Sequence, residues 1–333
     1  MPRSASLGNP WPALDYAGWR ETAATLQLWT QIVGKVRLAL SPWQNHGWQV
    51  PLYVDSRGLG TSAIHADGVV LEIDFDFVSH RLIVSTSDGP LGGFDLEPMS
   101  VATFYRRLMT ELDAVGIDVA INVMPNEVAS PIAFPKDEVH ASYDAAAVHR
   151  FWRILVQADR IFHLFRTSFL GKSSPVHFFW GGFDLAVTRF SGRAAPSHPG
   201  GVPGLPDEIT REAYSHEVCS AGFWPGSEAY PHAAFYCYGY PSPTGFAQAA
   251  VEIPGAFWSD DLGEWLLPYE AVRTAGDPDA ALLGFLGATY DAVADLARWD
   301  RSLDCGLGVP GRPRPGAHHT PDGRDVSLGS PGR

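Results

Sequence analysis

The sequence predicts an α+β protein of two similar halves, each a helix, an antiparallel β-meander and a second helix. Three observations predict this class. Long stretches carry apolar residues at helical spacing, shorter stretches alternate apolar and polar residues, and the same order of elements recurs after residue 144. The expected organisation is a disordered N-terminus at 1–10, a first half at 11–124, a linker at 125–143, a second half at 144–301 and a disordered Gly/Pro/Arg-rich tail at 302–333.

The first half opens with a helix expected from Tyr16 to Leu40, which ends before Pro42 because proline cannot continue a helix. Alternating segments then predict four short strands: Gln49–Val54, Leu59–Ile64, Val69–Val78 and Arg81–Ser87. A second helix is expected at Val101–Val115 and a strand at Asp118–Met124.

One face of the predicted strand Val69–Val78 carries the acidic row Glu72, Asp74 and Asp76. Carboxylates in such a row can bind a divalent cation, although a solvated outer face has the same pattern and is commoner. The sequence leaves both interpretations open.

The second half begins with a helix expected at Ala145–Phe169, with Asp144 as its N-cap. A β-hairpin is expected next, at 176–190. After it come three further strands, near 216–224, 233–240 and Trp265–Tyr269, and a closing helix at Asp277–Trp299. The strands near 216–240 have aromatic residues on both faces, which suits either a ring-lined pocket or ordinary core packing.

The hairpin is predicted from two apolar runs joined by Gly181-Gly182, since both residues of a two-residue turn need a positive φ. This turn fixes the register, so that His177 faces Ala186 and Phe179 faces Asp184. His177 and Asp184 then share one face as diagonal neighbours, close enough for their side chains to meet.

Composition excludes several classes of partner. The formal net charge of −13 argues against nucleic acids and anionic membranes, which need basic surfaces. Three cysteines without a CxxC spacing suit a reducing compartment, and no apolar stretch is long enough to cross a bilayer or to act as a signal peptide. A soluble cytoplasmic protein is expected.

The candidate site centres on histidines. His177, Asp184 and His216 form a potential catalytic set, in which Asp184 orients His177 as a general base or all three residues bind Zn²⁺ or Fe²⁺. The residues Arg189, Arg193, His198 and His46 are candidates for binding a substrate with an anionic group. The alternative for His177 and Asp184 is a purely structural hydrogen bond across the hairpin.

Five segments resemble a bacterial family of unknown function: Trp29–Leu40, His149–Arg160, Ser174–Gly192, Arg211–Glu217 and Leu267–Arg273. The third contains the signature SPVHFFWGGFDLAVTRFSG. The likeness extends from Trp11 to about Asp300 and implies a single bacterial cytoplasmic unit, with no established activity.

Together these observations favour an enzyme acting on a small anionic molecule in a His/Asp/Arg-lined cleft, with or without a metal. The alternatives are a non-catalytic small-molecule-binding protein and an interaction protein without a pocket.

Overall fold

The computed structural model describes residues 10–66, 68–89, 91–202, 204–228 and 230–308. These residues form six α-helices and two antiparallel sheets of six strands each, so the predicted α+β class is confirmed. The helices are α1 (Tyr16–Leu40), α2 (Val101–Ala114), α3 (Ala145–Arg166), α4 (Asp207–Ala213), α5 (Tyr269–Arg273) and α6 (Pro278–Leu296).

The first sheet consists of β1 (Tyr53–Val54), β2 (Gly58–Gly60), β3 (Ile64–Ala66), β4 (Val69–Asp76), β5 (Arg81–Thr86) and β6 (Leu91–Asp95). Its order is β1-β2-β4-β5-β6, and β3 also pairs with β4. The alternation in β4 places Leu71, Ile73 and Phe75 in the core with no exposed surface, as the sequence predicts.

The predicted strand Leu59–Ile64 is wrong, because the chain breaks there into β2 and β3 around Ser62, which has a φ of 56°. The sequence also missed β6, whose two glycines disfavour a strand assignment.

The predicted strand Asp118–Met124 is also wrong, since the structure assigns no strand there. The end of this segment lies beside α1 in space. Side chains of that helix bind its backbone, in place of a neighbouring strand. Lys35 Nζ donates to the Met124 carbonyl at 2.6 Å, and Gln31 exchanges two hydrogen bonds with the backbone of Asn126. Lys35 is buried, and burial lowers its pKa to about 8.

The second sheet consists of β7 (His177–Phe179), β8 (Asp184–Ala194), β9 (His216–Trp224), β10 (Ala234–Tyr240), β11 (Phe257–Ser259) and β12 (Glu264–Pro268). Its order is β11-β12-β10-β9-β8-β7. The cross-strand row Leu185, Phe223, Phe235 and Leu267 is at most 1% exposed and forms the core face of this sheet.

The predicted hairpin register is confirmed, with His177 opposite Ala186 and Phe179 opposite Asp184. The predicted turn geometry is wrong. The positive φ in the turn belongs to Phe183, at 57°, and not to Gly181 or Gly182. Glycine at 181 leaves room for the Glu127 carboxylate, which a Cβ atom there would displace.

The two sheets are joined by one pair of backbone hydrogen bonds. The N–H of Leu52 donates to the Phe178 carbonyl at 2.9 Å, and the N–H of Phe178 donates back at 2.8 Å. Both side chains are fully buried, and the Trp19 ring on α1 contacts Phe151 on α3 at 5.0 Å between centroids. One continuous core therefore runs through both predicted halves, while their duplication and the domain boundaries stay predictions.

Two helices of the second half have an aspartate N-cap. Asp144 accepts hydrogen bonds from the N–H groups of Ala146 and Ala147, as predicted, and Asp277 caps α6 through Ala280. The helix α3 ends at Arg166, three residues before the predicted end.

The predicted disorder is wrong for residues 302–308. Leu170 donates to the Leu303 carbonyl at 2.7 Å, and Cys305 donates to the Ser168 carbonyl at 3.0 Å, so this segment packs on the end of α3. Of the two predicted disordered termini, residues 1–9 and 309–333 lie outside the described residues.

The Gly34→Ala variant should lose about 1–3 kcal/mol of unfolding free energy by overpacking, although alanine is the better helix former. A Cβ atom at 34 would collide with the Trp180 indole, whose N–H donates to the Val50 carbonyl at 2.9 Å. Urea unfolding measures the change. The control is Gly287→Ala on α6, where a Cβ meets nothing within 4 Å and should add about 0.5–1 kcal/mol. Equal effects at both positions would contradict the prediction.

Candidate functional site

The face of the second sheet opposite the core carries carboxyl groups and tyrosines. Asp184, Tyr236 and Tyr238 alternate along their strands with the buried core row, and Glu264 alternates with Trp265 in the same way. We use the name tyrosine–carboxylate cluster for these residues and two that approach the same face from loops: Glu127, Asp184, Tyr214, Tyr236, Tyr238 and Glu264.

Asp184 is held by a tyrosine from two strands away. The Tyr236 hydroxyl donates a hydrogen bond to Asp184 Oδ2, and it reaches β8 by lying across Gly222 of β9. A Cβ atom at 222 would collide with the Tyr236 hydroxyl, so glycine is required for this contact. Burial and the Asp184 charge raise the pKa of Tyr236 well above its usual value, which keeps the phenol a donor.

Glu127 adds a second carboxylate beside Asp184. Its backbone is in the left-handed region, with a φ of 55°, and its carboxylate lies against Gly181 and Gly182. A Cβ atom at position 182 would lie 2.7 Å from Asp184 Oδ1 and 3.8 Å from Glu127 Oε2, so these two oxygens are no farther apart than the sum of those distances.

Three carboxyl groups of the cluster have raised pKa values. Burial raises the pKa of Asp184 to about 6 and those of Glu127 and Glu264 to about 7, and the Asp184 charge contributes to both glutamate shifts. The Glu127 side chain is exposed, so solvent screens part of this effect. Within the residues that the structure describes, none of the three forms an ion pair with a Lys, Arg or His side chain.

An aromatic wall continues the cluster towards the loop after β8. The hydroxyls of Tyr214 and Tyr238 are 2.8 Å apart, and His198 stacks on Tyr214 with ring centroids 4.9 Å apart. The Tyr240 hydroxyl donates to the Pro196 carbonyl at 3.0 Å. His198, predicted to bind an anion, is therefore packed between tyrosines, and its Nδ1 accepts from Gly200.

His177 and Asp184 share a face but have different partners. His177 is 2% exposed, and its Nδ1 donates to the Pro175 carbonyl at 2.7 Å. Burial lowers its pKa to about 4, which keeps the ring neutral. Asp184 bonds to Tyr236 instead, so the predicted dyad is not assembled.

The predicted metal set is not assembled either. His216 Nδ1 lies 3.1 Å from Ser215 Oγ, and its ring neighbours His46 at 5.8 Å, while His177 and Asp184 are engaged as described. In the described ranges, no three His, Cys, Asp or Glu side chains are grouped to hold a metal ion. The acidic row on β4 is not such a group, and its Asp76 is bound by Arg57 and Ser79. Burial raises the pKa of Asp76, but hydrogen bonds that include those from Arg57 and Ser79 outweigh it and lower the pKa to about 2.

The predicted anion-binding arginines serve the core and the surface. Arg189 is 1% exposed because it lies on the core face of β8, where its guanidinium contacts the Phe165 ring at 3.6 Å and donates to Ser168 Oγ. Arg193 pairs with Glu217 at 2.7 Å and also donates to the Ala297 carbonyl. Neither arginine lines a shared cleft with His177.

His46 joins the first half to α4. Its backbone N–H donates to Glu212, its Nδ1 donates to the Ala213 carbonyl, and its Nε2 accepts from Lys172 at 2.8 Å. Its ring contacts Phe190 and His216, so His46, predicted to bind a substrate, is engaged by protein groups.

Sequence reasoning missed Glu127, Glu264 and the role of Tyr236. The alternation of Tyr236, Tyr238 and Tyr240 was a usable signal, since three tyrosines on one strand face need polar partners. Glu127 gave no signal, because it lies in an aperiodic segment and its position depends on contacts made by α1.

A family model described as a family of unknown function, DUF5996, matches residues 11–305. No curated protein and no solved structure matches the chain. Among the described residues, no helix is both long and apolar enough to cross a membrane. The match spans both halves and nearly all of the described residues, so the chain belongs to the DUF5996 family.

Proposed function

We propose that the tyrosine–carboxylate cluster binds a small molecule with a positively charged amine. The observation that carries this proposal is the grouping of three carboxyl groups that have no ion-pair partner among the residues that the structure describes. Asp184 and Glu264 are half-buried and Glu127 is exposed, so each carboxylate is only partly desolvated, and a partly desolvated charge is stabilised by a paired cation. A bound ammonium group would supply the missing charge.

Charge repulsion within the cluster favours such a ligand. The Asp184 charge contributes to the raised pKa of both Glu127 and Glu264, so each added negative charge is opposed by the others. A cation placed among them lowers all three pKa values, and binding then releases protons near neutral pH.

The aromatic residues suit the same ligand. The Tyr236 and Tyr238 rings stack with centroids 6.1 Å apart, so neither ring covers the outer face of the other. A cation is attracted to such a face by the ring quadrupole, as in the aromatic cages that bind ammonium groups. Carboxylates and tyrosines together therefore favour an organic amine over a bare metal ion.

The sequence alone favoured an anionic substrate. We propose a cationic ligand instead, because of the positions of Arg189 and Arg193. Both guanidinium groups are engaged by protein partners away from the cluster. An enzyme remains the second candidate. Asp184 and Glu127 are close together with raised pKa values, which is the arrangement that general acid–base catalysis uses.

The proposal keeps a bacterial origin and a cytoplasmic location. Three free thiols, Cys219, Cys237 and Cys305, support a reducing compartment. The Sγ atoms of Cys219 and Cys237 are 3.6 Å apart and are not joined by a disulfide.

Phenethylamine is a suitable probe, with 2-phenylethanol as the neutral ligand of the same shape. By isothermal titration calorimetry, the amine should bind saturably at pH 8 and at least about tenfold more weakly at pH 5, because protonated carboxyl groups do not attract it. The alcohol should bind weakly at both pH values.

Variants locate the binding. Asp184→Asn and Glu264→Gln should each weaken phenethylamine binding at pH 8 by about tenfold or more. The matched control is Glu21→Gln, which removes an exposed carboxylate on α1. Equal affinity for the amine and the alcohol, or unchanged affinity in both cluster variants, would refute the proposal.

A further inference from the structure

A cleft of about 390 Å³ lies at the C-terminal end of α3, and no residue of the tyrosine–carboxylate cluster lines it. Its lining residues are His163, Arg166, Thr167, Phe169, Gly171 and Ser173. This volume is in the range of small-molecule sites. The polar groups of the cleft, and the hydrogen-bond acceptors and counter-ions that they lack, determine the kind of ligand that it can bind.

Arg166 is the main charge of the cleft and has no counter-ion in the part of the chain that the structure describes. Its Nε atom is buried and has no acceptor there. Burial lowers the pKa of Arg166, and no neighbouring carboxylate opposes this. The nearby His163 is paired with Asp159 at 3.6 Å, so that aspartate is already engaged.

Ser173 adds a second unsatisfied group. Its hydroxyl oxygen is buried and has no partner among the described residues, although a buried hydroxyl normally has one. The backbone N–H groups of Gly171 and Lys172, just before it, also have no backbone acceptor in those ranges. Arg166 and Ser173 both line the opening, and each has a buried polar atom without a partner among the described residues.

Acceptors at the same helix end are already used. The Phe165 carbonyl accepts from Arg189, the Thr167 carbonyl accepts from the Cys305 thiol, and the Ser168 carbonyl accepts from the Cys305 N–H. The carbonyls that normally neutralise such donors are thus occupied. The cleft has a surplus of donors and a positive charge, which a ligand with several acceptor oxygens would satisfy.

We propose that this cleft is a binding site for a small oxyanion, a phosphate or carboxylate group, with the Arg166 guanidinium and the Ser173 hydroxyl as its main donors. The guanidinium fork matches two oxygens of either group. This site is separate from the amine site, has the opposite charge and does not depend on it.

Inorganic phosphate is the first probe, followed by acetate to distinguish tetrahedral from planar oxyanions. Calorimetry on the full chain at constant ionic strength should show saturable binding with one site per chain, and the bound anion should raise the melting temperature. Binding of phosphate alone assigns the site to phosphate groups, and binding of acetate alone assigns it to carboxylates.

Arg166→Met should weaken binding of the preferred anion at least tenfold and abolish the shift in melting temperature. Ser173→Ala, a smaller change, should weaken binding several-fold and decides the question if the Arg166 variant does not fold. The control is Arg20→Met, which removes an exposed arginine on α1. Absence of saturable binding by either anion, or binding that Ser173→Ala and Arg166→Met leave unchanged, would overturn the proposal.

Discussion

Replacing Phe178 by alanine should lower the free energy of unfolding by about 3–5 kcal/mol, the usual cost of removing a large buried aromatic ring. Phe178 has no exposed surface, and its ring contacts Phe183 at 5.3 Å and Phe151 at 6.3 Å between centroids. Its backbone also forms the pair with Leu52 that joins the two sheets. The cavity left by the ring would therefore lie where the two halves meet. Neither half can move in to fill it without shifting the other half.

Urea unfolding followed by tryptophan fluorescence measures this effect. The matched control is Phe257→Ala on β11, where 40% of the residue is already exposed and the loss should be much smaller. Unfolding should stay a single transition, because both sheets share one core. A loss below about 1.5 kcal/mol would show that Phe178 is not a central part of that core.

The Asp184→Asn variant should gain stability relative to the wild type as the pH rises from 4 to 8. Burial raises the pKa of Asp184 from 3.8 to about 6, so the folded protein holds this proton more tightly than the unfolded chain does. The stabilisation is fully present below the unfolded pKa and is lost as the pH rises through the folded pKa. Asparagine does not titrate, so the variant avoids this loss.

The expected relative gain is about 2 kcal/mol, since one pKa unit corresponds to about 1.4 kcal/mol and partial exposure of Asp184 reduces the total. It should develop mainly between pH 4 and 6. Unfolding free energies of both proteins at several pH values measure it, and the contributions of groups outside the cluster, such as His177, largely cancel in the difference.

A second readout separates electrostatics from packing. In Asp184→Asn, the pKa values of Glu127 and Glu264 should fall, because the Asp184 charge contributes to raising both.

Tyr236→Phe should instead raise the pKa of Asp184, since the tyrosine hydrogen bond lowers it. Carbon-detected NMR titration of the carboxyl groups reports these values. A pH-independent difference in stability would contradict the assignment.

Local patterns predicted much of the fold. The alternation in β4, the N-cap Asp144 and the register of the hairpin are all short-range features, and the structure confirms each of them. The strand expected at 118–124 failed because contacts from α1, distant in sequence, determine its path. The tail at 302–308 failed for the same reason, since its partners lie near residue 168.

The candidate site was predictable in part. Asp184 was correctly placed on a polar face, since register follows from the turn length. Its true partner, Tyr236, could not be found from the hairpin alone, because that contact depends on the pairing of three strands and on the missing side chain at Gly222. Arg189 was misassigned because alternation does not reveal that a core face can hold a guanidinium between aromatic rings.

The backbone pair between Leu52 and Phe178 has a consequence for dissecting this protein. A fragment beginning at residue 144 would expose the edge of β7 and would lose the α1 side chain of Gln27, which donates to the Gly181 carbonyl at the hairpin tip. It would also lack Glu127, one of the three acids of the cluster. The smallest unit that can carry the site therefore includes both halves, and the boundary suggested by the repeated order of elements does not separate two independent modules.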